Sequence, residues 1–91
     1  MSTLAADATA QATDVAVSED ELIVHLLDGR TISVPLVWFP RLLHATSEQR
    51  ARFELLGDGE GIHWPEVDED ISVAGLLRGV KAPPLKSTPA A

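Results

Sequence analysis

The stretch Gly61–Gly79, GIHWPEVDEDISVAGLLRG, decides how the rest of the chain is read. Gly61–Trp64 is a short strand with Ile62 and Trp64 on one face. Pro65 has no N–H to give to a ladder, so the strand ends there. An acidic knot follows, Glu66, Asp68, Glu69 and Asp70. Ile71-Ser72 then opens a short apolar helix. Ser72 or Asp70 caps its start, and the acids just ahead of it suit the helix dipole. Val73, Leu76 and Leu77 form its apolar stripe, and Gly79 fits the C-terminal cap.

Just upstream, Gly57-Asp58-Gly59-Glu60-Gly61 reads as a loop. Its alternating glycines resemble a phosphate cradle only superficially. Such a cradle needs a strand before it and a helix directly after it, whereas here a strand follows and Asp58 and Glu60 repel phosphate. Before the loop, two helical pieces are expected. Pro40 is suited to a first helical position over Pro40–Ala45, with Trp38 and Phe39 folded back as a staple and Leu42 and Leu43 toward a sheet. Thr46-Ser47-Glu48-Gln49 matches a capping box with Thr46 as the cap, Ser47 being the alternative one residue on. Ala51, Phe53 and Leu55 then supply a buried helical side, with Arg50, Arg52 and Glu54 facing outward and Arg50 pairing with Glu54.

Further upstream the period changes to two. Val15 and Val17 share a side. Leu22, Val24 and Leu26 face one way and Ile23, His25 and Leu27 the other, which marks a central strand. Ser18-Glu19-Asp20 is a turn, and Asp28-Gly29 signals a type I′ hairpin. Thr31–Leu36 completes a three-stranded antiparallel meander. The expected fold is therefore α+β: the meander, one or two short helices, a further short strand and a C-terminal helix.

The chain has 91 residues and no cysteine. The length bounds it to one domain. Residues 1–12 and the Pro-rich residues 80–91 bury too little to offset their ordering entropy. They are expected to be disordered tails around a single domain over residues 13–79. The missing cysteines remove disulfides, thiolate nucleophiles and Cys-type zinc sites, and they favour a reducing cytoplasm. No signal-peptide pattern and no membrane-spanning apolar run is expected.

Net charge is −7. That argues against direct binding to nucleic acid or an anionic membrane. The charge is also unevenly placed. Arg30, Arg41, Arg50 and Arg52 form a basic island between two acidic regions, and the simplest use of it is internal charge balance.

Candidate sites are few. The acidic knot offers oxygens for Ca²⁺ or Mg²⁺, but without EF-hand spacing, and capping with a contact to the arginines accounts for it as well. His25, His44 and His63 lie on different elements, and no serine has a nucleophile-elbow context. No catalytic residue, cofactor or metal ligand is therefore assigned. Trp38, Phe39 and Trp64 are three of the four aromatics. Core packing is their first reading. Trp38 and Phe39 with Arg41, Arg50 and Arg52 form a candidate interaction patch.

Three segments then resemble one family: Asp28–Arg30 (DGR), Val34–Leu43 (VPLVWFPRLL) and Gly59–Leu77, with WPEVDEDIS its most specific part. Over about Ala12 to Gly79 the chain resembles the small bacterial proteins of domain-of-unknown-function family 2442. The resemblance implies a small α+β domain with a meander at the front. Some longer relatives carry a helix-turn-helix segment after it, for which this chain has a Pro-rich tail. Short members are commonly encoded beside a second small protein, in an arrangement similar to a toxin–antitoxin pair. The first expectation is thus a non-enzymatic protein-interaction domain, antitoxin-like toward a small neighbouring protein. The alternatives are a self-associating domain and an acidic-loop metal binder or small enzyme at Glu66, Asp68, Glu69 and Asp70.

Overall fold

Two antiparallel sheets of three strands each enclose one core in the computed structural model, which describes residues 10–82. The first sheet is the meander, β1 (Ala12–Val17), β2 (Glu21–Leu26) and β3 (Thr31–Pro35), with β2 central. Leu22, Val24 and Leu26 point into the core beside Val15 and Val34. The opposite face is closed by polar pairs, including His25 with Thr31 and Ser33 with Glu21.

A bulge explains how β1 begins. Ala12 pairs with Leu26 and Asp14 with His25, which leaves Thr13 as the extra residue. The extra residue resets the alternation, so Ala12 and Val15 both face inward. Ala10 is buried as well, so the packed body starts before Thr13. At the other end Val80–Ala82 runs back past Trp38, whose carbonyl accepts a hydrogen bond from the Ala82 N–H. The rest of the two expected tails, residues 1–9 and 83–91, lies outside the described residues.

The β2–β3 turn differs from the expected type I′. The Gly29 N–H donates to the Leu26 carbonyl, and Leu26 N–H to the Arg30 carbonyl. Gly29 has φ +97, while Asp28 is not among the residues with positive φ. The loop is therefore three residues long, a turn through Leu27 and Asp28 closed by a left-handed glycine. The Asp28 carboxylate accepts from the Arg30 backbone N–H and its guanidinium, and these bonds hold its pKa down.

After β3 the chain makes one 3-10 turn (Leu36–Trp38), then α1 (Pro40–Leu43) and α2 (Ser47–Ala51). Pro40 stands at the start of α1 as expected. The capping box on α2 is complete: the Thr46 hydroxyl accepts from Gln49 N–H, and the Gln49 side chain accepts from Thr46 N–H.

The second sheet is where the sequence reading falls short. The expected helical run through Leu55 stops at Ala51, and Glu54–Leu56 is β4. Glu69–Ser72 is β6, a strand that the acids obscured and that runs directly into the final helix. Both pair with β5 (Gly61–Trp64), which is the centre of the sheet. Pro65 does not merely stop β5. It opens the tight turn Trp64–Val67, a position that its fixed φ suits, and Asp68 completes the connection at φ 54. The final helix, α3 (Val73–Leu77), has Ser72 as its cap. Gly79 N–H donates to Leu76 O and Val80 N–H to Gly75 O, the paired bonds of a Schellman end.

One glycine joins the sheets. Gly59, at φ +91 in the β4–β5 turn, accepts a 2.6 Å bond from Ala12 N–H, and a Cβ there would collide with the Ala12 backbone. Gly59→Ala is expected to lower unfolding stability by about 1–3 kcal/mol from backbone strain alone, more once the collision moves β1. Urea unfolding monitored by tryptophan fluorescence measures it; an unchanged midpoint would show that the two sheets do not depend on this contact.

Candidate functional site

The basic island and the acidic knot touch each other at two points. Arg52 pairs with Glu66 at 2.6 Å, and this carboxylate raises the arginine's pKa. Arg41 donates a 2.7 Å bond to the Asp68 backbone carbonyl. The contact between the basic island and the acidic knot is therefore made within the chain.

The proposed patch of Trp38, Phe39, Arg41, Arg50 and Arg52 does not assemble as one surface. Phe39 is 3% exposed and belongs to the core. Trp38 is half-buried beneath Lys81, whose ammonium lies 5.1 Å from the ring centroid. Arg50 does not face outward and does not pair with Glu54. Its Nε donates to Leu42 O at 2.9 Å and its Nη2 to Leu43 O at 2.8 Å. A helix end leaves carbonyls short of partners, and the guanidinium fork bonds two of them at α1, the Leu42 carbonyl also accepting from the Ala45 N–H.

The acidic knot disperses as well. Asp68 occupies the left-handed turn position, where a short polar side chain is tolerated. Asp70 reaches across the sheet to His63 Nδ1 at 2.5 Å. Glu69 goes the other way. It pairs with Trp64 in the ladder and lies on the inner side of β6 with Ile71, only 7% exposed. Burial pushes the Glu69 carboxyl pKa up, nearby Arg41 pulls against that, and Asp70 and Asp68 add to the rise. Among the described residues, no group of three or more His, Asp or Glu side chains is placed to hold a metal ion.

The sequence did not single out the outer face of the second sheet. Register puts Glu54, His63 and Asp70 in one row across the three strands and Leu56, Gly61 and Ser72 in the next. Leu56 is 44% exposed, and a shallow groove along it is also lined by Glu60, Gly61, Asp70, Ile71 and Ser72. An alternating signal was present, since Val67, Glu69, Ile71 and Val73 are spaced by two. It was hidden because the acids on either side of Glu69 read as one polar knot.

Together these features define a class: a small α+β domain of two three-stranded sheets and three short helices around one core. No helix among the described residues is long and apolar enough to cross a membrane. The chain belongs to the family described as protein of unknown function (DUF2442), whose model matches residues 12–82. This agrees with the resemblance carried by the Trp-Pro segment. The chain is also similar to a protein of unknown function from Rhodospirillum rubrum ATCC 11170, known from a crystal structure. The two are 32% identical over 80% of this chain and 90% of that one, with a TM-score of 0.68. A comparison with curated proteins finds no match.

Two measurements separate the roles of the acids. Asp68→Asn should leave stability within about 0.5 kcal/mol, because asparagine accepts the same turn and Arg41 binds the backbone. Asp68→Val should cost about 1–2 kcal/mol, the price of a left-handed β-branched residue. For Glu69 the sign follows from linkage. A carboxyl whose folded pKa lies above its unfolded value binds its proton more readily in the folded state. Its contribution is full at low pH and is lost as pH rises through the folded pKa. Melting midpoints of Glu69→Gln relative to the natural chain should therefore rise from mildly acidic to neutral pH. A difference independent of pH would place the Glu69 carboxylate in water.

Proposed function

We propose that this chain is a non-enzymatic, cytoplasmic protein-binding domain that docks a small basic protein, antitoxin-like, through the outer face of the second sheet. The observation that carries the reading is the Leu56 groove with Glu54, Glu60 and Asp70 around it. An apolar strip rimmed by one sign of charge is the usual anatomy of a surface that meets an oppositely charged partner. The internal engagement of Arg30, Arg41, Arg50 and Arg52 supports it, because cations held against the chain's own acids and carbonyls leave the remaining acids to set the surface field.

The partner to try is the product of the gene next to this one. Co-expression should give a complex on size exclusion that weakens as salt is raised. Leu56→Lys should abolish the complex while the variant keeps its own melting midpoint, since the position is exposed. Absence of any complex, together with no relief of a growth defect caused by the neighbour alone, would sink the reading.

A second reading, self-association, is favoured by β4. It is an edge strand of three residues with Leu55 and Leu56 both exposed, which is the kind of edge a second copy can extend. Light scattering that reports a monomer across a wide concentration range rules it out.

A further inference from the structure

A separate cavity of about 280 Å³ lies on the other side of β6. Phe39, Ile71, Val80 and Ala82 give it apolar walls, and Glu69 is its buried acid. Glu66, Asp68 and Asp70 each have an assigned task in the turn or the sheet. The Glu69 side chain has none: its carboxylate makes no hydrogen bond or ion pair with another described residue, although Arg41 is close enough to act on it through charge. Among the described residues, no fully sealed side-chain oxygen or nitrogen lacks a partner. The unbonded carboxylate of Glu69 therefore opens onto the cavity and is not sealed into packed core. Lys81 also lines the cavity, but its ammonium is held over the Trp38 ring.

We propose that this cavity binds the end of an aliphatic amine, an ammonium on a short hydrocarbon stem, as presented by a lysine side chain of a partner protein. The walls suit the methylenes, and the Glu69 carboxylate, with Asp70 turned to His63, suits one ammonium. A divalent metal ion is a poor fit, because a hard cation needs several oxygens, and of the two acids along the cavity Asp70 is bonded to His63 across the sheet. Only the source of the amine rests on the protein-binding reading. The cavity itself can be tested without a partner.

The probe is n-butylammonium, titrated into the full ¹⁵N-labelled chain, with n-butanol as the neutral control. Saturable shifts are expected at Glu69–Ser72, Gly75 and Val80–Ala82 with the ammonium and not with the alcohol. Glu69→Gln should weaken the response at least about tenfold, because it removes the charge and keeps the shape. An equal response to butanol, no saturable shift, or an unchanged response in Glu69→Gln overturns the proposal. If Glu69→Gln does not fold, the comparison of ammonium with alcohol on the natural chain decides alone. Amine binding without a complex with the neighbouring protein keeps the cavity and removes the partner reading. A complex that Glu69→Gln forms as tightly as the natural chain removes a partner lysine as the source.

Discussion

The indole of Trp64 is the contact on which the second half of the structure depends. The side chain is fully buried, and its N–H donates 3.0 Å to the Arg50 carbonyl. A buried indole must find such a partner, so the ring both fills the core and fixes where α2 ends. Arg50 then uses its guanidinium on the last carbonyls of α1. One residue thus ties the centre of the second sheet to both helices of the connection. Phe53 leans against the same ring at 6.4 Å between centroids, and the chain beyond it turns into β4. Beyond Ala51, Arg52 and Phe53 meet Glu66 and Trp64, far from them in sequence, and the chain continues as β4.

This arrangement also explains the uneven charge along the chain. The arginines between the acidic regions act over short range, on a carboxylate, on a backbone carbonyl at a left-handed turn and on a helix end. Bonds of this kind are directional, and part-buried ones to helix-end carbonyls are worth more than exposed ion pairs. The basic island is therefore part of the internal structure, and the acids it leaves over define the outside.

The parts of the fold that were legible in the sequence are those set by neighbours in the chain. The capping box at Thr46, Pro40 at the start of α1, the β2 alternation and the Gly79 end of α3 each depend on residues within a few positions. The parts that were not legible depend on contacts far apart in sequence. β4 has three residues, too few to show a period, and Ala51 and Leu55 imitate helical spacing. β6 alternates, yet its inward position holds a glutamate, which breaks the apolar pattern that marks a half-buried strand. The β2–β3 hairpin shows a subtler limit. Asp-Gly announces a turn, but whether glycine is its second or third loop residue depends on register, which the bulge at Thr13 and the core face of β2 determine. At the candidate site the acidic residues were visible as a group, and their separate directions were not, because direction in a strand changes at every residue.

That separation leaves Glu69 as the residue stability does not explain. Glu66 has an arginine, Asp68 a turn that short polar side chains tolerate, and Asp70 a histidine across the ladder. Each would be a reasonable choice in a domain with no function at all. Glu69 is buried beside Ile71, its carboxylate without a hydrogen bond from any described residue, where a leucine of similar reach would avoid the desolvation cost. Attraction from Arg41 offsets part of that cost, but Arg41 is bonded to the Asp68 carbonyl and gives Glu69 no hydrogen bond. Burial and the neighbouring Asp70 and Asp68 raise the pKa of this carboxyl while Arg41 lowers it, so holding its charge carries a cost that a cation in the cavity would reduce.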